Sequence, residues 1–453
     1  GRAARDVEAL LAEAKLGGRV AFSVMDVASG APLEGHGTRT GLPPASVTKA
    51  ITAVYALDTL GPEYRFGTRL MTDGTVRDGV LRGDLVLAGG GDPTLDTDAL
   101  ADMAARLKNL GIHEVRGTFR VWAGALPFER EIDPAQPPHA GYNPALSGLS
   151  LNFNRVRFGW KRNGSDYTVT MDARSGRHRP EVRVARMALA DRRSPVYTYR
   201  DGGSHDSWTV ARGALGNGGA RWLPVRKPAQ YAGEVFAGFA RAHGIVLTDP
   251  APQRGRPGGT VLVTHRSAPL RDILRGMLKY STNLTAEMVG MAATARRAGR
   301  PASLAGSARE MARWARRELG LAQARFVDHS GLGEEARLTP AATTAALVAA
   351  HGRLKPLLKE IPMRDGAGRI DRGHPLTVAA KTGTLYFVSA LAGYITAPDG
   401  TELAFAIFTG DTERRGAIDP SRDGRPPGAR GWNRRAKRLQ QALIDRWGRV
   451  FGG

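Results

Sequence analysis

Ser46 and Lys49 lie three positions apart in "LPPASVTKAITAVYALDTLG", residues 42 to 61. On a helix that spacing puts both side chains on one face, with Cβ atoms roughly 5–6 Å apart. A serine hydroxyl is a poor nucleophile until a neighbouring base takes its proton. Lysine can serve as that base when burial disfavours its ammonium form and lowers its pKa. Val47, Ala50, Ile51, Ala53, Val54, Ala56, Leu57 and Leu60 make the helix apolar nearly all round, the pattern of a buried element. Pro43 and Pro44 cannot continue an upstream helix, and they set a stiff turn that delivers Ser46 to the first helical position. Free N–H groups at that helix start can stabilise developing negative charge. Taken alone, Ser-x-x-Lys is common and fits an N-cap serine followed by a surface lysine better than a catalytic pair.

Two further elements bear on the choice. Lys381-Thr382-Gly383 falls within "TVAAKTGTL" (377–385), which reads as a strand. Glycine there lets a ligand backbone approach, while lysine and threonine offer a cation and a hydroxyl to a carboxylate. Ser281-Thr282-Asn283 lies between helical runs and supplies a hydroxyl and an amide. Ser-x-x-Lys and Lys-Thr-Gly each occur once, but Ser-x-Asn occurs again at Ser150-Leu151-Asn152. Position favours Ser281, which shares its part of the chain with the other two motifs.

The elements that must hold these groups can be read from periodicity. The chain begins with a helix (6–16) and two extended runs around Ser29-Gly30. It ends with the Lys-Thr-Gly strand, a hairpin around Asp399-Gly400 and an amphipathic helix over 434–448. Joined, the two ends give one antiparallel sheet covered by helices, an α+β arrangement with the middle of the chain inserted. Within the insertion, 75–95 reads as short strands and 96–111 as a helix. Residues 151–221 alternate polar and apolar between turn clusters and read as a small all-β unit, followed by a helix at 228–244. Residues 324–332 read as extended, and the Arg-, Gly- and Pro-rich stretch 411–433 as a mobile surface loop.

Composition narrows the function classes. A chain of 453 residues exceeds the size of a single core, so two or three domains are expected. The net charge of +22 favours anionic partners, yet the basic residues are scattered and no nucleic-acid motif accompanies them, which argues against nucleic acid. With no cysteine there are no disulfides, thiolate nucleophiles or cysteine zinc sites, and the ten histidines show no metal-ligand spacing. No cofactor and no metal are expected. The glycines of "GGGDP" (89–93) lack the Lys-Ser/Thr of a phosphate loop and read as a turn. No apolar run reaches membrane-span length, and the opening Gly1-Arg2-Ala3 reads as the mature form of an exported protein.

The trio Ser-x-x-Lys, Ser-x-Asn and Lys-Thr-Gly is the pattern of penicillin-binding proteins and class A β-lactamases. Its spacing, with "GGGDPTL" (89–95), "YNPALSGLSLNFN" (142–154) and "DHSGL" (328–332), resembles the class C low-molecular-mass penicillin-binding proteins, which are D-alanyl-D-alanine carboxypeptidase/endopeptidases. The resemblance covers nearly the whole chain. It implies a penicillin-binding, transpeptidase-like (serine β-lactamase-like) domain over 1–66 and 262–453. A second domain, 67–150 with 222–261, is inserted into it, and a third, 151–221, into the second.

It also implies roles. Ser46 is the acylated nucleophile, Lys49 its base, and Ser281 with Asn283 a proton relay and substrate amide contact. Lys381 tunes the site electrostatically, Thr382 and Thr384 hold the terminal carboxylate beside Gly383, and the backbone N–H groups of Ser46 and Thr384 form the oxyanion hole. The chain departs from the family pattern at His329, where glycine is usual, and at Gly333 and Glu334, where serine and arginine are usual.

The implied partners are peptidoglycan peptides ending in D-Ala-D-Ala, cross-linked peptides, and β-lactam antibiotics as covalent inhibitors. The implied location is the periplasm, and the basic surface is compatible with peripheral contact with an anionic membrane. Two rival readings are a β-lactamase, which needs a carboxylate or equivalent to activate the deacylating water, and a non-catalytic cell-wall scaffold with a vestigial serine site.

Overall fold

The structure, a computed structural model, describes residues 4–419 and 425–453. Its helices α1 (Val7–Ala14), α2 (Thr48–Leu60), α3 (Leu270–Tyr280), α4 (Asn283–Ala298), α5 (Leu304–Glu318), α6 (Pro340–Ala349) and α7 (Ala429–Phe451) surround one antiparallel sheet. Strands β1 (Arg19–Asp26) and β2 (Pro32–His36) come from the start of the chain. Strands β3 (Lys359–Glu360), β4 (Thr377–Leu385), β5 (Val388–Thr396) and β6 (Glu402–Gly410) come from its end. They lie in the order β3-β4-β5-β6-β1-β2, so the two ends join where β1 pairs with β6 from Arg19↔Gly410 to Asp26↔Leu403. The expected sheet from both chain ends is present, including the hairpin around Asp399-Gly400.

Strands β5 and β6 carry almost no polar alternation because both faces are covered. On one face α1 and α7 pack Leu10, Trp432, Leu443 and Trp447 against Phe22, Val24, Leu391 and Ile407. On the other, Ala21, Ala392, Ala406 and Phe408 meet Ile51, Val54 and Leu347 of α2 and α6. Every residue of α2 from Thr48 to Ala56 is buried, as its all-round apolar pattern requires. Burial of a side chain such as Ile51 or Val54 contributes about 1.5–3 kcal/mol, so the helix carrying Lys49 is fixed by its neighbours.

Two sequence expectations need correction. The stretch 411–433 is not wholly loop: Thr412–Gly416 is a short helix capped by the Asp411 carboxylate, and α7 starts at Ala429 rather than at residue 434. Trp432 anchors that earlier start, buried with its indole N–H donating to the Leu16 carbonyl at 2.7 Å. The centre of that predicted loop, 420–424, lies outside the described residues. Residues 324–332 are not a strand. One pairing, Arg325 with Arg337, precedes an irregular loop folded around the Asp328 carboxylate.

Between α2 and α3 the chain leaves the central sheet. A five-stranded sheet of Ala251–Pro252, Phe119–Trp122, Leu85–Ala88, Gly67–Thr72 and Thr260–Arg266 packs against helices Thr97–Asn109 and Pro228–Ala242. Two three-stranded sheets occupy 155–224, as the alternating pattern there suggests. One apolar core runs through them, with Leu100, Phe119, Phe158, Trp208 and Phe236. A smaller cluster of Leu126, Leu146, Leu284, Met288 and Met291 seats this insertion on α4, one turn from Asn283.

Candidate active site

Ala45–Val47 forms a single 3₁₀ turn that runs directly into α2. Ala45 has φ +46°, a left-handed conformation that is strained for a residue with a Cβ. Two glycines hold the turn from outside. A Cβ on Gly331 would sit 1.8 Å from the Ala45 carbonyl oxygen, and one on Gly383 would sit 2.8 Å from Pro44 O and 2.9 Å from Ser46 N. The Lys-Thr-Gly strand therefore lies against the backbone of the Ser46 turn, and the Gly331 loop closes it from another side.

Within that frame the Ser46 hydroxyl meets two partners. Lys49 Nζ donates to Ser46 Oγ at 2.7 Å, and Ser281 Oγ donates to the same oxygen at 3.0 Å. Lys49 is fully buried, and its other contact is the Ser330 carbonyl at 3.0 Å. Desolvation pulls its pKa down to about 8, against the opposing pull of the Glu287 and Asp328 carboxylates. Ser281 occupies the left-handed C-cap between α3 and α4 (φ +57°), which turns its hydroxyl toward Ser46.

Lys381 is buried too, and burial, then repulsion from Lys49, brings its pKa down to about 6. Its Nζ donates to the Thr382 carbonyl at 2.7 Å. The alternation of β4 buries Lys381 and Gly383 and leaves Thr384 exposed. Thr384 lines a cleft of about 1150 Å³ together with Ser46, Ser281 and Asn283, whereas Thr382 is not among its lining residues. Asn283 donates its amide to the Tyr142 carbonyl at 2.8 Å, tying the site to the insertion. The cleft continues along the insertion past Tyr142, Tyr197 and Arg221.

The second Ser-x-Asn does structural work elsewhere. Asn152 exchanges hydrogen bonds with the N–H and hydroxyl of Thr97, and it stands in a run, Asn152-Phe153-Asn154, of three left-handed residues. In "GGGDP", a Cβ on Gly90 would meet the Gly67 carbonyl at 1.9 Å, so these glycines serve a backbone crossing.

The sequence reading assigned no chemistry to Tyr142, Glu287, Asp328 or Ser330, although three of them lie in quoted stretches. The departure at His329 has a packing explanation: its buried ring fills the space over Gly290, where a Cβ would come 2.2 Å from the ring. Glu334, the other departure, pairs with Arg415 at 2.7 Å on the cleft wall.

The model of the D-Ala-D-Ala carboxypeptidase 3 (S13) family matches residues 3–423. The chain belongs to that family. This S13 enzyme, a serine-type D-Ala-D-Ala carboxypeptidase, is 29% identical over 439 residues to the D-alanyl-D-alanine carboxypeptidase of Actinomadura sp. (strain R39), covering 89% of this chain and 80% of the relative. It is 26% identical over 436 residues to D-alanyl-D-alanine carboxypeptidase DacB of Haemophilus influenzae, with 88% of each chain covered. Among solved structures, penicillin binding protein 4 (dacB) from Haemophilus influenzae matches with a TM-score of 0.74 at 20% identity, over 97% of this chain and 99% of that one. The penicillin-binding fold expected from the motifs is therefore the fold of this carboxypeptidase.

Proposed function

We propose that Ser46 is the acylated nucleophile of this carboxypeptidase, with Lys49 as its base, and that the cleft accepts both terminal D-Ala-D-Ala and peptide cross-links. The observation that carries this reading is the 2.7 Å contact between a fully buried Lys49 and Ser46 Oγ. Lys49 and Lys381 repel one another, so their proton losses belong to the pair, with steps at about 6 and about 8. Between those values the pair carries one positive charge, held mainly on Lys49 while the cleft is empty.

A substrate's terminal carboxylate, seated by Thr384 on the cleft wall, draws that charge to Lys381. Lys49 is then a free amine beside Ser46, and it takes the hydroxyl proton as Ser46 Oγ attacks the D-Ala-D-Ala carbonyl. The Ser46 and Thr384 N–H groups receive the oxyanion, a contribution of several kcal/mol in such sites. Lys49 returns its proton, through Ser281, to the departing D-alanine amine, and Asn283 holds the peptide amide. Water then cleaves the Ser46 ester. A β-lactam enters as a mimic of the same dipeptide and acylates Ser46.

A cleft of about 1150 Å³ that runs from Ser46 past Tyr142 to Tyr197 and Arg221 has room for the second peptide of a cross-link, which supports endopeptidase action. The same reading divides the chain at 66/67, 150/151, 221/222 and 261/262 and places the protein outside the cytoplasmic membrane. No described helix is long and apolar enough to cross a membrane.

The test follows D-alanine release from a synthetic stem pentapeptide and cleavage of a purified cross-linked dimer. Both should proceed with wild type, and an enzyme that cleaves neither would overturn the proposal. The acylation rate constant for penicillin should also trace a bell against pH. It should fall below about pH 6, where both lysines are charged, and above about pH 8, where no cation remains for the carboxylate. Stopped-flow labelling between pH 5 and pH 9.5 measures it, and a flat profile contradicts the shared-proton mechanism.

A further inference from the structure

One carboxyl oxygen is left without a partner where the site is most deeply buried. Glu287, on α4, is fully buried; its Oε1 accepts the His329 N–H at 2.6 Å, while Oε2 has no hydrogen-bond partner among the described residues. The same loop holds a second carboxyl group. Asp328 accepts the N–H groups of Gly331 at 2.7 Å and Gly333 at 2.8 Å. Ser330, next in line, gives its carbonyl to Lys49 Nζ at 3.0 Å. Three consecutive residues thus tie two buried carboxyl groups and a buried amine into one knot.

An ionised carboxylate with an unsatisfied oxygen carries a severe desolvation penalty, and a neutral acid a far smaller one. Asp328 has two backbone donors at 2.7 and 2.8 Å, whereas Glu287 has one backbone donor and the pull of the Ser330 hydroxyl, with Oε2 left unpaired, so Asp328 is the better seat for a single negative charge, and its charge in turn keeps the proton on Glu287. We propose that Glu287 is a positioning residue kept as a neutral acid beside Lys49, and that Asp328 alone supplies the counter-charge that sets the protonation of Lys49. The proposal rests on the reading of Lys49 as the base.

The charges around the knot agree. Burial, then repulsion from Asp328, pushes the Glu287 carboxyl well above the usual carboxylate range, and burial brings Asp328 up to about 6. Lys49 from α2 faces both groups. His329 contributes no charge, because burial lowers its pKa to about 3. Lys381 from β4 acts on Lys49 by repulsion, Lys359 acts on Lys381 in the same sense, and Asp133 adds a weak repulsion toward Asp328. A second ionised carboxylate would hold the proton on Lys49 more tightly and delay the free amine to higher pH. A neutral Glu287 keeps the oxygen that anchors the His329 N–H without adding that charge.

The direct experiment is carbon NMR of the full chain labelled with ¹³C at the glutamate side-chain carboxyl. One resonance should stand at the protonated position at pH 7 and vanish in Glu287→Gln. Its absence from wild type overturns the proposal, whatever the variants do. Kinetics give a second readout. Asp328→Asn should move the alkaline limb of the penicillin acylation profile down by about one pH unit, a roughly tenfold change at fixed pH on that limb. Glu287→Gln should leave the limb where wild type has it. An equal shift in Glu287→Gln, or none in Asp328→Asn, contradicts the assignment of charge. Failure of the underlying reading would look different, as a Lys49→Met enzyme still acylated by penicillin.

Discussion

Ser46→Ala, Lys49→Met and the double variant should all fall to one common level of acylation, at least about 10³-fold below wild type. Residues that act as a unit do not contribute additively, because once the nucleophile or its base is gone the other has nothing to act on. In the proposed mechanism Ser46 Oγ forms the ester, and Lys49 Nζ, 2.7 Å away, is the basic group in contact with it; Ser281 offers it only a hydroxyl. Methionine is the chosen replacement since it keeps most of the lysine's length and apolar stem inside a helix buried from Thr48 to Ala56. The Ser330 carbonyl loses a donor, which costs about 1–3 kcal/mol, so thermal melting should show a small change against a large kinetic one. Second-order acylation by penicillin, followed by fluorescence, measures the effect. A Lys49→Met enzyme that keeps a tenth of the wild-type rate would exclude Lys49 as the base.

Gly331→Ala should be the most damaging single methyl group in the site. The new Cβ would stand 1.8 Å from the Ala45 carbonyl oxygen and 2.9 Å from Thr48 Oγ1, at a position with φ +84°. A clash with backbone that is already left-handed at Ala45 cannot relax without moving Ser46, so a loss above about 4 kcal/mol is expected, together with loss of penicillin binding. Gly30→Ala separates clash from strain. It has φ +70° but nothing within 4 Å of the added atom, and it should lose only about 1–2 kcal/mol, the backbone strain alone. Denaturant melts of the two variants decide the matter, and equal losses would mean that the Gly331 contact does not hold the Ser46 turn.

The groups legible in the sequence were those whose geometry is local. Three-residue spacing on an apolar helix placed Lys49 beside Ser46, and Lys381-Thr382-Gly383 could be read as lying on a strand. Meeting of the chain ends in one sheet followed from a strand-rich start and a strand-rich finish. Glu287 and Asp328 could not be seen in this way. They lie 41 positions apart in sequence and share the lysine through a loop with no periodicity. Asn283 was visible as an amide, but its partner, the Tyr142 carbonyl, belongs to an insertion whose seating on α4 depends on Leu126 and Leu146. The early start of α7 was hidden because Gly- and Arg-rich composition masked Ala429, Trp432 and Ala436 at helical spacing.

Peptide mapping by mass spectrometry after brief exposure to penicillin measures the chemistry itself. One equivalent of penicilloyl adduct should appear on the peptide that contains Ser46, and on no other, with none in Ser46→Ala. An adduct on a different residue, or an undiminished adduct in Ser46→Ala, would contradict the assignment of Ser46 as the nucleophile.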